Sequence, residues 1–228
     1  DDDLLVLNKP AGMVVHPAAG NPDGTLQNAL LHFDDRLGAV PRAGIVHRLD
    51  KDTTGVMVVA RSLRAHTSLV AQLQARTMSR VYVALALGGI QQDGSVDAPI
   101  GRHPRDRKRM AVVPSGRPAV SHYRVLERFS GLAWVEVSLE SGRTHQIRVH
   151  MAHIGHPLVG DPVYGRSPRP ADSLAAAVLD AVQSFPRQAL HARQLRLAHP
   201  ASGQPVAFKA PLADDLAHLL DLLREAGE

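Results

Sequence analysis

Apolar residues along the chain recur now every second position and now at about 3.6-residue spacing, a mixture that predicts strands and helices intermingled in one α+β (mixed α/β) framework. "LLVLNKP" (4–10) predicts a strand stopped by Pro10, and "TLQNALLHF" (25–33) a short helix begun by Thr25 after Gly24. "GVMVVAR" (55–61) reads as a buried strand. In "SLRAHTSLVAQLQART" Leu63, Thr67, Val70 and Gln74 fall along one line with Leu69 and Leu73 beside it, which predicts a helix capped by Ser62. "RVYVALALGG" alternates strictly: Val81, Val83, Leu85 and Leu87 share one face, Tyr82, Ala84 and Ala86 the other. The second face leaves room for a flat ligand against Tyr82, although ordinary packing beneath a helix accounts for the same pattern.

"HYRVLERF" and "LAWVEVSLE", parted by Ser130 and Gly131, predict a hairpin. "SGRTHQIRVHMAHIG" then reads as a turn and a helix, with Thr144 at the cap, Ile147, Met151 and Ile154 on the buried stripe and Gly155 at the end. Residues 165–186, rich in Pro, Ala and Ser, predict a loop and a short helix. Strands follow around "ALHARQLRL" and "PVAFKA", and "LADDLAHLLDLLREAGE" closes the chain as an amphipathic helix with Leu216, Leu219, Leu220 and Leu223 on one stripe.

A chain of 228 residues suffices for a proper core. It has no apolar run long enough to span a bilayer, no signal peptide and no cysteine, which removes disulfides, thiolate catalysis and cysteine-ligated metals and suits a cytoplasmic setting. It opens at Asp1 rather than Met and reads as part of a longer protein. Net charge is +4, and 22 of the 26 cationic residues are Arg, lysine standing only at Lys9, Lys51, Lys108 and Lys209. Arginine suits phosphate contacts and base stacking, but a compositional bias gives the same ratio, so position has to decide.

The densest basic stretch is "GRHPRDRKRM", with Arg102, Arg105, Arg107, Lys108 and Arg109 around Asp106. Pro104 and the lack of periodicity place it on a loop or hairpin, where it reads either as a solvated face or as a phosphate-neutralising patch. His145, His150, His153 and His156 crowd one segment, yet no HExxH pattern and no intervening carboxylate accompany them, so no metal is expected. "HRLDKDTTG" (47–55) sets Asp50 among His47, Arg48 and Lys51. Asp50 and Asp52 admit a glycosidase-type acid/base reading, but a general acid needs a raised pKa and cations favour the ionised form. An ionised Asp50 suits a nucleophile, an electrostatic stabiliser or a structural ion pair.

"HRLDKDTTGVMVVAR" resembles the signature of the RluA-type pseudouridine synthases, and the family's other patterns appear in order: "NKPAGMVVHP" at 8–17, "SRVYVALALGG" at 79–89, "SGRTHQIRVHMAHIGHPLVGDPVYG" at 141–165 and "QALHARQLRLAHP" at 188–200. The likeness runs from Leu4 to the last helix, with Thr54 and Arg61 as mild departures, and leans toward members acting on large-subunit ribosomal RNA. It implies one catalytic domain over residues 1–228, a central, mostly antiparallel bent sheet flanked by helices with a cleft across it, and an S4-like RNA-binding domain ahead of this chain. It also implies Asp50 as the catalytic residue, Arg143 as its salt-bridging partner, Tyr82 as the aromatic that stacks on the target base, and Ile147 in the pocket wall. His47 and Arg48 would contact nearby RNA, and the basic stretch would help select it. The implied enzyme is a cytoplasmic monomer that isomerises uridine in RNA, in rRNA or a ribosomal precursor particle, with no cofactor and no metal. An RNA glycosylase or nucleoside hydrolase and a non-catalytic RNA-binding module are the rival readings.

Overall fold

The computed structural model describes residues 1–18, 20–165 and 175–227; the part of the expected Pro-rich loop at 166–174 lies outside them. In chain order the first elements are β1 (Leu4–Lys9), α1 (Leu26–Phe33), β2 (Thr54–Ala60), α2 (Leu63–Gln74), β3 (Ser79–Leu87), β4 (Gly94–Asp97), β5 (Ile100–Arg102) and β6 (Met110–Val112). Then come β7 (Val120–Phe129), β8 (Leu132–Leu139), α3 (Gln146–His153), α4 (Ala176–Gln183), β9 (Leu190–Ala198), β10 (Pro205–Lys209) and α5 (Asp214–Glu225). The chain divides into two compact units, Asp1–Arg80 with Ala192–Pro211, and Val81–His191 with Leu212–Glu228. Both combine helices with antiparallel strands, the α+β character that the pattern predicts.

In the first unit β1 runs antiparallel to β2, from Leu4 opposite Ala60 to Lys9 opposite Gly55, and β10 pairs with β9. Gly55 is required where it stands: its φ is +116° and a Cβ would lie 2.2 Å from the carbonyl oxygen of Ala192. Thr25 caps α1 in a reciprocal box with Asn28, and the Ser62 hydroxyl caps α2 by accepting from Ala65 N–H. The buried line of α2 is Ala65 and Leu69, which pack with Leu4, Val56, Val58, Leu195 and Leu197. Leu63, expected on the stripe, is 61% exposed. Two residues before Ala65 on a helix is about 200° away, so both cannot face the core.

In the second unit β3, β8, β7 and β4 are successively paired and all antiparallel. The hairpin turns at Ser130–Gly131 as expected, with Gly131 at φ +69°. Val83, Leu85 and Leu87 join Trp134, Val178, Val182 and Leu216, Leu219, Leu220 and Leu223 of α5 in one core, which explains why the alternation in β3 is strict. Ala84 and Ala86 are fully enclosed on the opposite face and Tyr82 is 7% exposed, so packing accounts for that face from Ala84 onward.

The start of α3 differs from expectation. Its cap is His145 in the left-handed region, φ +56° and ψ +22°, rather than Thr144. No side chain caps the helix; instead the Gln146 Oε1 accepts from Arg143 N–H at 3.0 Å and ties down the turn before it. The helix is buried on nearly all sides from Gln146 to Met151.

Candidate active site

Asp50 stands in the first unit on the loop that enters β2. Its carbonyl accepts from Thr53 N–H, and the loop is held by the buried side chains of Leu49, Thr53 and Thr54. A deeper tie comes from Lys9, which is 0% exposed at the end of β1. Its ammonium donates to the carbonyls of Pro10 at 2.7 Å, Met13 at 3.0 Å and Lys51 at 2.8 Å. One cation therefore joins the "NKPAGM" turn to the residue after Asp50, and a buried ammonium is tolerated because oxygen acceptors surround it. Arg48 is exposed.

His47 is pinned as well. Its Nε2 accepts from Val58 N–H of β2 at 3.1 Å, so the proton of the neutral ring sits on Nδ1, which is enclosed without a partner among the described residues. Burial and the charge of Arg80 push its pKa from 6.5 down to about 4. In this geometry His47 pegs the Asp50 loop to β2.

In the second unit Tyr82 lies on β3 opposite Val137, and Arg143 lies on the turn before α3 with Ile147 one helical turn beyond it. Arg143 Nε donates to the carbonyl of Pro118 at 3.1 Å. The turn is fixed by a chain of buried polar groups. Gln146 Oε1 also accepts from Ser141 Oγ, and its Nε2 donates to the Val120 carbonyl and to Ser121 Oγ. Ser121 Oγ bonds His150 Nδ1 at 2.9 Å, and His150 Nε2 meets the Ala98 carbonyl at 2.9 Å. A carbonyl only accepts, so Nε2 carries the proton and Nδ1 accepts from Ser121; every member of the chain is then satisfied. Burial lowers the pKa of His150, the Ala98 carbonyl opposing it.

The basic stretch forms a two-stranded arm, β5 paired with β6, whose tip spans residues 103–109. The tip is braced internally. His103 Nδ1 accepts from Arg105 N–H and Asp106 N–H, Asp106 Oδ1 accepts from Lys108 N–H, and His103 N–H donates to the Arg109 carbonyl. Arg102 donates to the Arg107 carbonyl, and Arg109 lies over the ring of Tyr164, 5.3 Å from its centroid. Arg105, Arg107 and Lys108 are exposed.

Residues 3–153 match the RNA pseudouridylate synthase family model. The chain belongs to that family. It is 59% identical over all 228 residues to ribosomal large subunit pseudouridine synthase D of Pseudomonas aeruginosa, covering 71% of that protein. Over 224 residues it is 55% identical to the protein of the same name from Escherichia coli, covering 98% of this chain and 69% of that one. Among solved structures, human RNA pseudouridylate synthase domain containing 4 aligns with a TM-score of 0.75 at 29% identity, covering 98% of this chain and 91% of its own. Human RNA pseudouridylate synthase domain containing 1 aligns at 0.67 with 27% identity, covering 98% and 92%. Pseudouridine synthases are isomerases that act on RNA.

Several residues that hold these candidate regions in place, each within its own unit, escape sequence reasoning. Lys9, Gln146, His150 and Tyr164 act through partners 25 to 54 positions away, as His150 does with Ala98. A lone lysine at the end of an apolar strand was the one available signal, for Lys9.

The two depressed histidines set a pH response. In the unfolded chain His47 binds a proton near 6.5, in the folded chain only near 4. His150 is displaced in the same direction. Their contribution to stability is complete above pH 6.5 and is lost as pH falls toward 4. Urea unfolding should therefore show a lower midpoint at pH 5 than at pH 7. His47→Gln, whose amide oxygen can still accept from Val58 N–H, should lose less over the same interval; an equal loss would assign the response elsewhere.

Proposed function

We infer that this chain converts uridines of large-subunit ribosomal RNA to pseudouridine, with Asp50 as the catalytic carboxylate. The observation that carries the reading is the extent of the likeness, 59% identity across all 228 residues to a relative named for that activity. Asp50 on its pinned loop is the group whose placement suits the chemistry.

The reaction breaks the bond between uracil N1 and ribose C1′, turns the base, and joins C5 to C1′. The C5 proton is lost and N1 gains one, so atoms balance within the RNA and no oxidant or cofactor is consumed. Two routes use the carboxylate: attack on C1′ to give a covalent ester, or removal of the C2′ proton to leave a glycal. Both need Asp50 ionised. The resemblance gives Arg143 the role of cationic partner, and a guanidinium suits that task because it meets a carboxylate through two parallel hydrogen bonds.

A paired uridine must leave its stack before C1′ is reachable, at a cost of a few kcal/mol. Stacking on Tyr82 offsets part of it, since a base on an aromatic ring gains about 1–3 kcal/mol. Ile147 supplies an apolar wall, which helps keep water from the sugar while the base is detached. Arg48 and the exposed cations of the arm hold phosphates. The enzyme works as a cytoplasmic monomer on RNA, without a metal.

Digestion of treated large-subunit rRNA to nucleosides tests the reading. Pseudouridine should rise as uridine falls, with no free uracil. Free uracil would mean a glycosylase, and no change of either would mean a binding module.

A further inference from the structure

A three-pair ribbon such as β5–β6 is marginal by itself, so its placement depends on what it is fastened to. The tip that it carries is braced internally and rejoins the ribbon at Arg109–Met110. Tyr164 stands at that junction. Its hydroxyl accepts from Met110 N–H at 2.9 Å and bonds His145 Nδ1 at 3.0 Å, the two rings meeting edge to face at 75°. His145 is the left-handed residue between the Arg143 turn and α3.

Tyr164 is itself held by buried partners. The Arg148 guanidinium lies 5.2 Å from its ring centroid and is locked to Asp161 at 2.7 and 3.0 Å, both side chains buried. Asp161 Oδ1 also accepts from Val163 N–H and Tyr164 N–H. Burial would raise the Asp161 pKa, but the Arg148 hydrogen bonds and charge outweigh it and hold the carboxyl ionised. Burial keeps the Tyr164 hydroxyl protonated. The tyrosine thus joins, by one oxygen atom, the first residue of β6 to the residue that opens α3.

We propose that Tyr164 is a positioning residue for RNA: its hydroxyl fixes the register of the basic arm against the turn that bears Arg143, so that phosphates gripped at the tip present the target base in one place. The proposal rests on the RNA-modifying reading above and adds to it a division among the five cations. Arg102 and Arg109 brace the arm, while Arg105, Arg107 and Lys108 are the ones offered to RNA.

Tyr164→Phe removes the oxygen and keeps the ring beneath both guanidiniums, so the fold survives. Its affinity for a large-subunit rRNA transcript should fall about fivefold and its KM rise to match, with kcat within about twofold. Neutralising Arg105, Arg107 and Lys108 together to Gln should flatten the dependence of log Kd on log salt by roughly two to three, since each phosphate contact contributes about 0.7–0.9. In that triple variant Tyr164→Phe should cost nothing further, because both changes act through one arm. Unchanged affinity in Tyr164→Phe, or losses that multiply in the combined variant, would overturn the proposal. Binding judges it separately from turnover: a wild type that binds the transcript but forms no pseudouridine would defeat the functional reading and leave the coupling measurable.

Discussion

Asp50→Asn gives a folded protein that binds large-subunit rRNA and forms no pseudouridine. Asparagine has the size of aspartate, and what fixes the loop lies elsewhere, in Lys9 against the Lys51 carbonyl, in Thr53 N–H against the residue 50 carbonyl and in buried Leu49. The melting temperature should therefore stay within a few degrees, and RNA affinity within about twofold. An amide can neither attack C1′ nor take up a proton, and deleting a nucleophile or base typically costs about ten-thousandfold or more in rate. Single-turnover assays at saturating enzyme read that loss without interference from binding. A rate within tenfold of the wild type would remove Asp50 from the chemistry.

Lys9→Met should damage both stability and turnover. Methionine nearly matches the lysine stem in volume, so packing is kept while three carbonyls, of Pro10, Met13 and Lys51, lose a charged donor at a fully enclosed point. Each buried acceptor left unsatisfied costs about 1–3 kcal/mol, and some relaxation of the turn brings the expected total to roughly 3–5 kcal/mol. In a chain of 228 residues that is a fall of about 10 °C in melting temperature. Below the transition the freed Asp50 loop should lower kcat more than it raises KM, because the arm and Tyr82 are untouched. An unchanged melting temperature would show that the ammonium is not the tie.

What was legible in the sequence was what neighbours in the chain decide. Thr25 and Ser62 were readable as caps because their partners are three residues away, and the turn at Ser130–Gly131 because two alternating runs flank it. Thr144 was misread because the helix opens one residue later, at left-handed His145, and the turn before it is tied by the Gln146 side chain, which also reaches Val120 and Ser121 of β7. Leu63 was misplaced because a periodic line on a helix does not say which of two adjacent lines faces the core. For the proposed chemistry, the residue types and the order of the family motifs pointed to Asp50, Tyr82 and Arg143. The residues that hold those regions in place, Lys9, Gln146, His150 and Tyr164, stayed hidden, since their roles depend on partners that only folding supplies.

The most direct test of the central claim uses large-subunit rRNA transcripts carrying tritium at uridine C5, incubated with the wild type and with Asp50→Ala. Forming the C5–C1′ bond expels the label, so tritium should appear in water from the wild type alone, with no free uracil. Labelled uracil in solution, or tritium release that persists without Asp50, would contradict the assignment of this chain as an Asp50-dependent pseudouridine synthase.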